Sequence, residues 1–377
     1  MITSTRVVND SYHEHKLLWP YHAQKAEVIL RGEIPSPSLI EIDPTDEGCN
    51  QSCIECCFQS SKLRKVTSIN VPKMLHFVTQ AYAYGTYAFE LVGGGEPTVH
   101  RNIAWIINGI ASLAKPGLER PHIGMVTNGV LLNRVFSVAQ YLDFVRVSLD
   151  SADEKIYAVL HGISATLNHH ARVIENIRIL RALMSIKRVR IGYLVIPPYN
   201  HRADDIRACV SLAHELGVEH IAFRPAYTDR KIDVNLWHEA AQAIQEQKQN
   251  YRPGFIFGGS GGSWDYVLER RNHPSGLCRT KPLVLTIKAN GDIPSCFLYR
   301  ERLKERPRIG NISEGFENVW FSKRNIESIQ AVNRSDCPDM CKLFRADQAL
   351  DKLEQARQLG EIIPAPKDGE LDDPYFI

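Results

Sequence analysis

The sequence of 377 residues predicts an α/β fold with a mainly parallel sheet and a second, smaller module behind it. Three observations carry that expectation. Short apolar or β-branched runs alternate with longer segments of helical spacing over residues 38–250. Chemically distinctive turns, rather than tight hairpin turns, follow these runs, and the texture of the chain changes after about residue 250. Repeated strand–helix units with crossover connections bring successive strands into parallel register.

The strand candidates are SLIEI (38–42), AFELV (88–92), IGMVT (123–127), FVRVSL (144–149), VRIGYLVI (189–196) and HIAFRP (220–225). The first five are each followed by a segment with apolar residues three and four apart: VPKMLHFVTQAYAY, NIAWIINGIASLA, NRVFSVAQYL, SATLNHHARVIENIRILRAL and ADDIRACVSLAHEL. A sixth helix, near 236–249, has weaker periodicity. Beyond it come a glycine-rich loop (FGGSGGSWD), short strands around an NGD turn (LVLTIKANGDIPSCF) and a charged helix near 342–359. The acidic end, DGELDDPYFI, reads as a solvated tail or a lid. The expected division is an N-terminal extension (1–37), the strand–helix repeat (38–250), a second module (251–345) and a terminal helix with its tail (346–377).

Composition narrows the class. With 44% hydrophobic and 23% charged residues the chain can bury a sizeable core. Its 45 basic and 43 acidic residues are interspersed, which disfavours nucleic acid as the main partner. Neither a signal-peptide pattern nor a run approaching the ~20 apolar residues of a membrane span is present, so a cytoplasmic location without membrane is expected. In a reducing compartment clustered thiols point to metal or catalysis rather than disulfides, and nine cysteines cannot all pair.

Four of those nine fall within CNQSCIECC, residues 49–57, directly after the first strand. Cys49, Cys53 and Cys56 have the spacing C-x3-C-x2-C. A structural zinc site closes with four ligands, so a zinc knuckle would have to borrow Cys57 or a distant His. Three thiolates suit an iron–sulfur cube with one iron left open. GGGEP follows the second strand, TNG the third and SLDS ends the fourth, all at the strand ends where parallel α/β sheets carry their functional loops.

The cysteine motif after the first strand, joined to GGGEP after the second, resembles the radical S-adenosylmethionine (SAM) superfamily. That resemblance implies a (β/α)6 partial TIM barrel. It also implies a [4Fe-4S] cluster whose open iron chelates SAM, and a 5′-deoxyadenosyl radical that takes hydrogen from a C–H bond. Carried over position by position, Cys49, Cys53 and Cys56 hold the cluster, and Gly94, Gly95, Glu96 and Pro97 meet the SAM amino group. Ser148 and Asp150 contact its carboxylate and ribose, and Asn200 and Arg224 lie on the same rim. Asn128 of TNG is either a further contact or simply a left-handed turn before Gly129. This chain departs from its relatives in three places. Glu55 stands where an aromatic residue usually packs near adenine, with Phe58 as a substitute. Cys57 breaks the family spacing and reads as a nonligand, either incidental or a hydrogen donor that would turn the choice to epimerisation, and His161 stands where many relatives carry Arg.

Cys278, Cys296, Cys337 and Cys341 supply four more thiolates, with G-x4-C and a late C-x3-C pair. They resemble twitch, the shortened SPASM-type module, and imply one auxiliary [4Fe-4S] cluster; zinc or unpaired core thiols are the alternatives. Cys209 falls among apolar helix positions and reads as a small buried hydrophobe. A cluster closed by four Cys implies electron transfer, which suits dehydrogenation of a secondary alcohol. The general base would come from the barrel mouth, with Tyr193, Arg224 and Tyr227 as candidates. Twitch relatives make an aminocyclitol or aminoglycoside-type sugar, in natural-product (antibiotic) biosynthesis, the leading substrate class. Epimerisation of the same class, modification of a ribosomally made peptide and a zinc-stabilised binding protein are the alternatives. The expected partners are a small-molecule substrate and an external electron donor such as flavodoxin or ferredoxin.

Overall fold

A computed structural model describes residues 16–46, 48–56, 66–183, 188–218, 220–226, 230–250, 255–258, 264, 267–269, 276–296, 308–337, 341, 343–361, 365–366 and 373–377. The sheet takes β1 (Leu39–Ile42), β4 (Ala88–Leu91), β5 (His122–Thr127), β6 (Phe144–Ser148), β7 (Arg188–Val195) and β8 (His220–Pro225) from the six expected strands. Each pairs in parallel with the next, β1 to β4 through β8. The short strands β2 (Thr45–Asp46) and β3 (Thr67–Ser68) form an antiparallel ribbon framing the cysteine loop.

Side-chain alternation along these strands makes two layers. Ile40, Ile42, Phe89, Leu91, Ile123, Met125, Val145, Val147, Ile191 and Tyr193 point outward into one continuous core beneath the helices. Those helices are α2 (Val71–Ala83), α3 (Ile103–Ala111), α4 (Glu154–Leu160), α5 (His169–Ala182), α6 (Ala203–Glu215) and α7 (Val234–Asn250), with α1 (Pro20–Leu30) preceding the sheet. The alternate positions face the concave side. There Val92, Val126, Arg146, Ser148, Gly192, Leu194 and Arg224 keep partial exposure while their outward neighbours are sealed. They line a lumen open at the strand C-termini.

Two elements differ from the sequence reading. NRVFSVAQYL winds as a 3₁₀ helix, Leu132–Tyr141, between β5 and β6. The NGD turn closes tightly, with Gly291 at φ +84° and its N–H donating to Lys288 O at 2.8 Å, yet the strands on either side do not pair with each other. β10 (Val284–Ile287) runs parallel to β1 at the sheet edge, and β11 (Asp292–Ile293) pairs antiparallel with β12 (Gly310–Asn311). The reason is burial: all four β10 residues are buried, and a strand apolar on both faces belongs inside a covered sheet. The eighth strand of this sheet, β9 (Ile256–Gly258), joins β8 at the other edge.

The last five residues, 373–377, are neither solvated nor a lid over the mouth. Phe376 packs edge-on against Phe144 at 4.9 Å between ring centroids, and Tyr375 stacks on His122 at 3.7 Å. Asp373 ion-pairs with Arg190. These contacts plug the sheet at its strand N-termini, the end opposite the functional loops. Behind them lies a second core with Leu17, Leu39, Leu283, Leu350 and Ile377, reached by the terminal helix α10 (Phe344–Leu359).

Candidate functional site

The cysteine loop is held by backbone rather than by its thiols. Ser52 N and Ile54 N donate to His161 O and Leu160 O, both at 3.0 Å, tying the loop to the end of α4. Gln51 Nε2 donates to Tyr157 Oη at 2.8 Å. On the other side Glu96 N donates to Gly48 O at 2.8 Å. Glycine is required at both contacts: a Cβ at Gly95 would overlap Gly48 O, and one at Gly162 (φ +55°) would overlap Ser52 O. GGGEP and the His161–Gly162 turn therefore clamp the loop between them.

Within that clamp the three thiols face one another. Burial pushes the Cys49 thiol up to about 11, with Glu96 and Cys56 adding to the shift. Cys53 is raised further, by burial first and then by Asp150, Cys49 and Cys56. Asn128 Nδ2 lies 3.9 Å from Cys49 Sγ and donates to Asn50 Oδ1 at 2.7 Å, while Gly129 takes φ +79°. TNG is thus a turn whose Asn128 also reaches the cysteine loop. His161 Nδ1 is 3.4 Å from Cys53 Sγ, and its Nε2 is 3.3 Å from Asp150 Oδ2. Burial lowers His161 to about 3, so its ring is neutral. Glu55 pairs with Arg230, which accounts for a charge where an aromatic residue was expected.

The other sequence-derived residues divide by what they touch. Glu96 is buried and already accepts from Thr98 N, Thr98 Oγ1, Thr127 Oγ1 and Asn128 N, at 3.0, 2.6, 2.6 and 2.7 Å. Burial raises its pKa despite those four donors. It braces the Gly94–Pro97 turn, and its Oε2, with one donor, keeps acceptor capacity. Asp150 Oδ1 accepts from Leu194 N at 2.7 Å, and burial raises the acid to about 7. Asn200 spends its amide on Asp150 O, Leu194 O and Ile196 N, which sets it behind the rim as a brace. Ser148 and Arg224 face the lumen. Tyr193 does not: Gly192 and Leu194 take the lumen side, so the ring between them packs on Phe223 and its hydroxyl donates to Asn200 O at 2.7 Å. That placement removes it as a general base. Tyr227, Cys57 and Phe58 lie outside the described residues.

A second thiol cluster forms near the start of α10. Cys341 is raised by burial and then by Cys296, Cys278 and Cys337, so each of these three thiols lies near enough to Cys341 to couple with it electrostatically. Burial raises Cys278 to about 11, and its N–H donates to Val332 O at 3.1 Å. Asp347 fixes this corner by accepting from Arg279 N, Thr280 N and Arg334 Nη1 at 2.8, 3.1 and 2.6 Å. Cys209 stands apart, fully buried on α6.

Two groups of cysteines, in which neighbouring thiols help to raise Cys49, Cys53, Cys278 and Cys341, suit metal clusters as thiolate ligands. Among the described residues, no three His, Cys, Asp or Glu side chains are grouped as a single-ion cage. Sequence reasoning missed the His161 contact and the lumen residues Glu90, Arg146 and Gly192. The period-2 pattern of β4, β6 and β7 was the available signal for the last three.

Comparison with known proteins matches two parts of the chain. Residues 45–223 match the Radical SAM superfamily, and residues 278–343 match the iron–sulfur cluster-binding SPASM domain. The isethionate sulfite-lyase activating enzyme of Oleidesulfovibrio alaskensis is 28% identical over 178 residues, 46% of this chain and 54% of that protein. The chain thus spans about half the length of that relative. GTP 3′,8-cyclase of Syntrophomonas wolfei is 27% identical over 309 residues, covering 75% of this chain and 88% of that enzyme. Streptococcus suis SuiB bound to SAM superposes with a TM-score of 0.63 at 17% identity, covering 82% of this chain and 72% of that one, a likeness of fold. Domains of these two kinds hold a [4Fe-4S] cluster with SAM and auxiliary iron–sulfur clusters. Cys49, Cys53 and Cys56 fit the first as three facing thiols, and the four C-terminal cysteines fit the second.

Proposed function

Because this chain carries a radical SAM domain followed by a cluster-binding domain of the SPASM type, we propose that it is a radical SAM oxidoreductase acting on a polar small molecule in the barrel lumen. The convergence of Cys278, Cys296, Cys337 and Cys341 carries the oxidative part of this reading, because four thiolates close a cluster and leave no iron free for substrate. The bound groups supply hydrogen-atom abstraction by a 5′-deoxyadenosyl radical and an electron acceptor.

The chain's own residues do the rest. The Gly94–Pro97 turn offers carbonyls and Glu96 Oε2 to the SAM ammonium, while Ser148 and Asp150 face its carboxylate and ribose. Asn200 holds the ends of β6 and β7 in register beneath that rim. The plug at Tyr375–Ile377 closes the far end of the lumen against solvent. Arg224 and Tyr227 are the groups proposed to handle the substrate's proton, now that Tyr193 is turned away. Dehydrogenation is favoured over epimerisation, since Cys209, the described cysteine outside both clusters, lies on the helix side and cannot return a hydrogen atom to the lumen.

An aminocyclitol or aminoglycoside-type sugar is the proposed substrate class, with flavodoxin or ferredoxin as electron donor. None of the relatives named above carries that substrate in its name. A peptide substrate is the second reading, favoured by the same fold in SuiB bound to its precursor peptide SuiA. No described helix is long and apolar enough to cross a membrane.

The test is iron and acid-labile sulfide per chain after anaerobic reconstitution, compared with a variant in which Cys278, Cys296, Cys337 and Cys341 are all Ala. About eight iron falling to about four, as two four-iron clusters require, supports the reading. About four in both removes the auxiliary cluster and the oxidative outcome with it.

A further inference from the structure

Among the described side chains, Arg146 and Arg224 are the two arginines on the lumen face that keep open surface. Arg146 sits on β6 and Arg224 on β8, with β7 between them. The intervening lumen position is Gly192, and the Arg146 side chain lies across it: a Cβ built there would stand 3.5 Å from both Cγ and Cδ of Arg146. A larger residue at 192 would wall the two guanidiniums apart. Arg146 depresses Arg224, which falls to about 9 with burial as the next cause, while Arg146 is itself lowered by burial.

Two desolvated cations side by side require an anion. Among the described residues none pairs with either, since neither arginine has a carboxylate within ion-pair distance. Glu90, on β4, faces both across the lumen and favours their charged forms, yet forms no ion pair with either. Arg190, one layer deeper, is by contrast matched by Asp373 of the tail. Glu41 is held by Thr286 Oγ1 at 3.3 Å. Among the described residues the arginine at the closed end is thus matched and the pair at the open end is not.

We infer that Arg146 and Arg224, brought together across Gly192, form a subsite for an anionic group, carboxylate or phosphate, of the substrate. Planar guanidinium forks recognise both groups bidentately. The assignment to substrate rests on the radical SAM reading of the lumen. Arg146 precedes Ser148 by two residues on the lumen face, so the pair begins one layer below the rim assigned to SAM. An amino sugar bound here would have to carry such an acidic group, with Glu90 and Glu41 on the opposite wall facing its ammonium.

The probe is inorganic phosphate, read as a shift in thermal unfolding of the reconstituted full chain against chloride at matched ionic strength. Wild type is expected to show a saturable phosphate-specific rise that is lost in Arg146→Gln and Arg224→Gln. Gly192→Leu should lose it too, keeping both charges but separating them, while Arg146→Lys retains part of it. A rise equal in all variants, or none in wild type, overturns the subsite. SAM affinity provides the second arm: Arg146→Gln should leave it within about twofold, and a tenfold loss would assign the pair to the SAM carboxylate instead. Loss of cluster or of SAM cleavage in wild type would sink the functional reading alone, since phosphate binding is scored separately.

Discussion

The His161 ring lies between a thiol of the cysteine loop and a buried acid. A neutral imidazole there can donate N–H to the Cys53 sulfur, and hydrogen bonds to ligand sulfurs tune cluster potentials. His161→Phe keeps the ring volume and removes that donor. Iron content should stay at the wild-type value while the reduction potential of the SAM-binding cluster falls, measured by titration followed by electron paramagnetic resonance. An unchanged potential would reduce His161 to packing against Tyr157, whose ring centroid is 4.0 Å away. The identity of this residue was plain in the sequence, but its contact was not. Cys53 and His161 are 108 positions apart, and only the return of α4 to the cysteine loop joins them.

At the scale of elements, the turn after α4 and the C-terminal tail each do more than connect. Gly162→Val places a side chain against Ser52 O at a positive φ, so the cysteine loop must move. Iron per chain in the reconstituted protein should fall by about half, a loss of one four-iron cluster of two, with the far-ultraviolet circular dichroism unchanged. A full iron complement in this variant would show that the clamp is dispensable. In the tail, Phe376 is 6% exposed and packs on Phe144. Phe376→Ala should cost about 3 kcal/mol or more, within the range for deleting a buried aromatic ring, read from urea unfolding. From sequence alone this segment reads as a solvated tail or lid, because four of its ten residues are acidic and the cavity that receives Tyr375 and Phe376 is built by distant strands.

At the scale of the molecule, the plugged end of the sheet carries an acid-sensitive joint. Asp143, just before β6, accepts from Ile123 N at 2.8 Å and pairs with Arg120 and His122, the latter stacked on Tyr375. Burial alone would raise this carboxyl, but His122 and Arg120 outweigh it and hold the acid at about 2. A folded pKa below the unfolded one stabilises above the unfolded value, so this contribution is complete above about pH 4 and vanishes as pH falls toward about 2. It amounts to about 2 kcal/mol at neutral pH. The apo-protein should therefore lose urea resistance across that window, and Asp143→Asn should flatten the slope there. Identical slopes in the two proteins would place the acid lability elsewhere.

The parallel sheet, its strands and the two cysteine sets were legible because each rests on local signals. β-branched runs of four to eight residues form buried strands, and ligand spacing within one loop is a property of that loop. What alternation along a strand means depends on which side becomes the lumen, so Tyr193 could be named from sequence as a base and still face the helices. The Arg146 and Arg224 pair, the His161 contact, the seating of β10 beside β1 and the tail as a plug all join residues far apart in the chain. Such contacts are decided by the curl of the sheet and the closure of its far end, which no local pattern encodes.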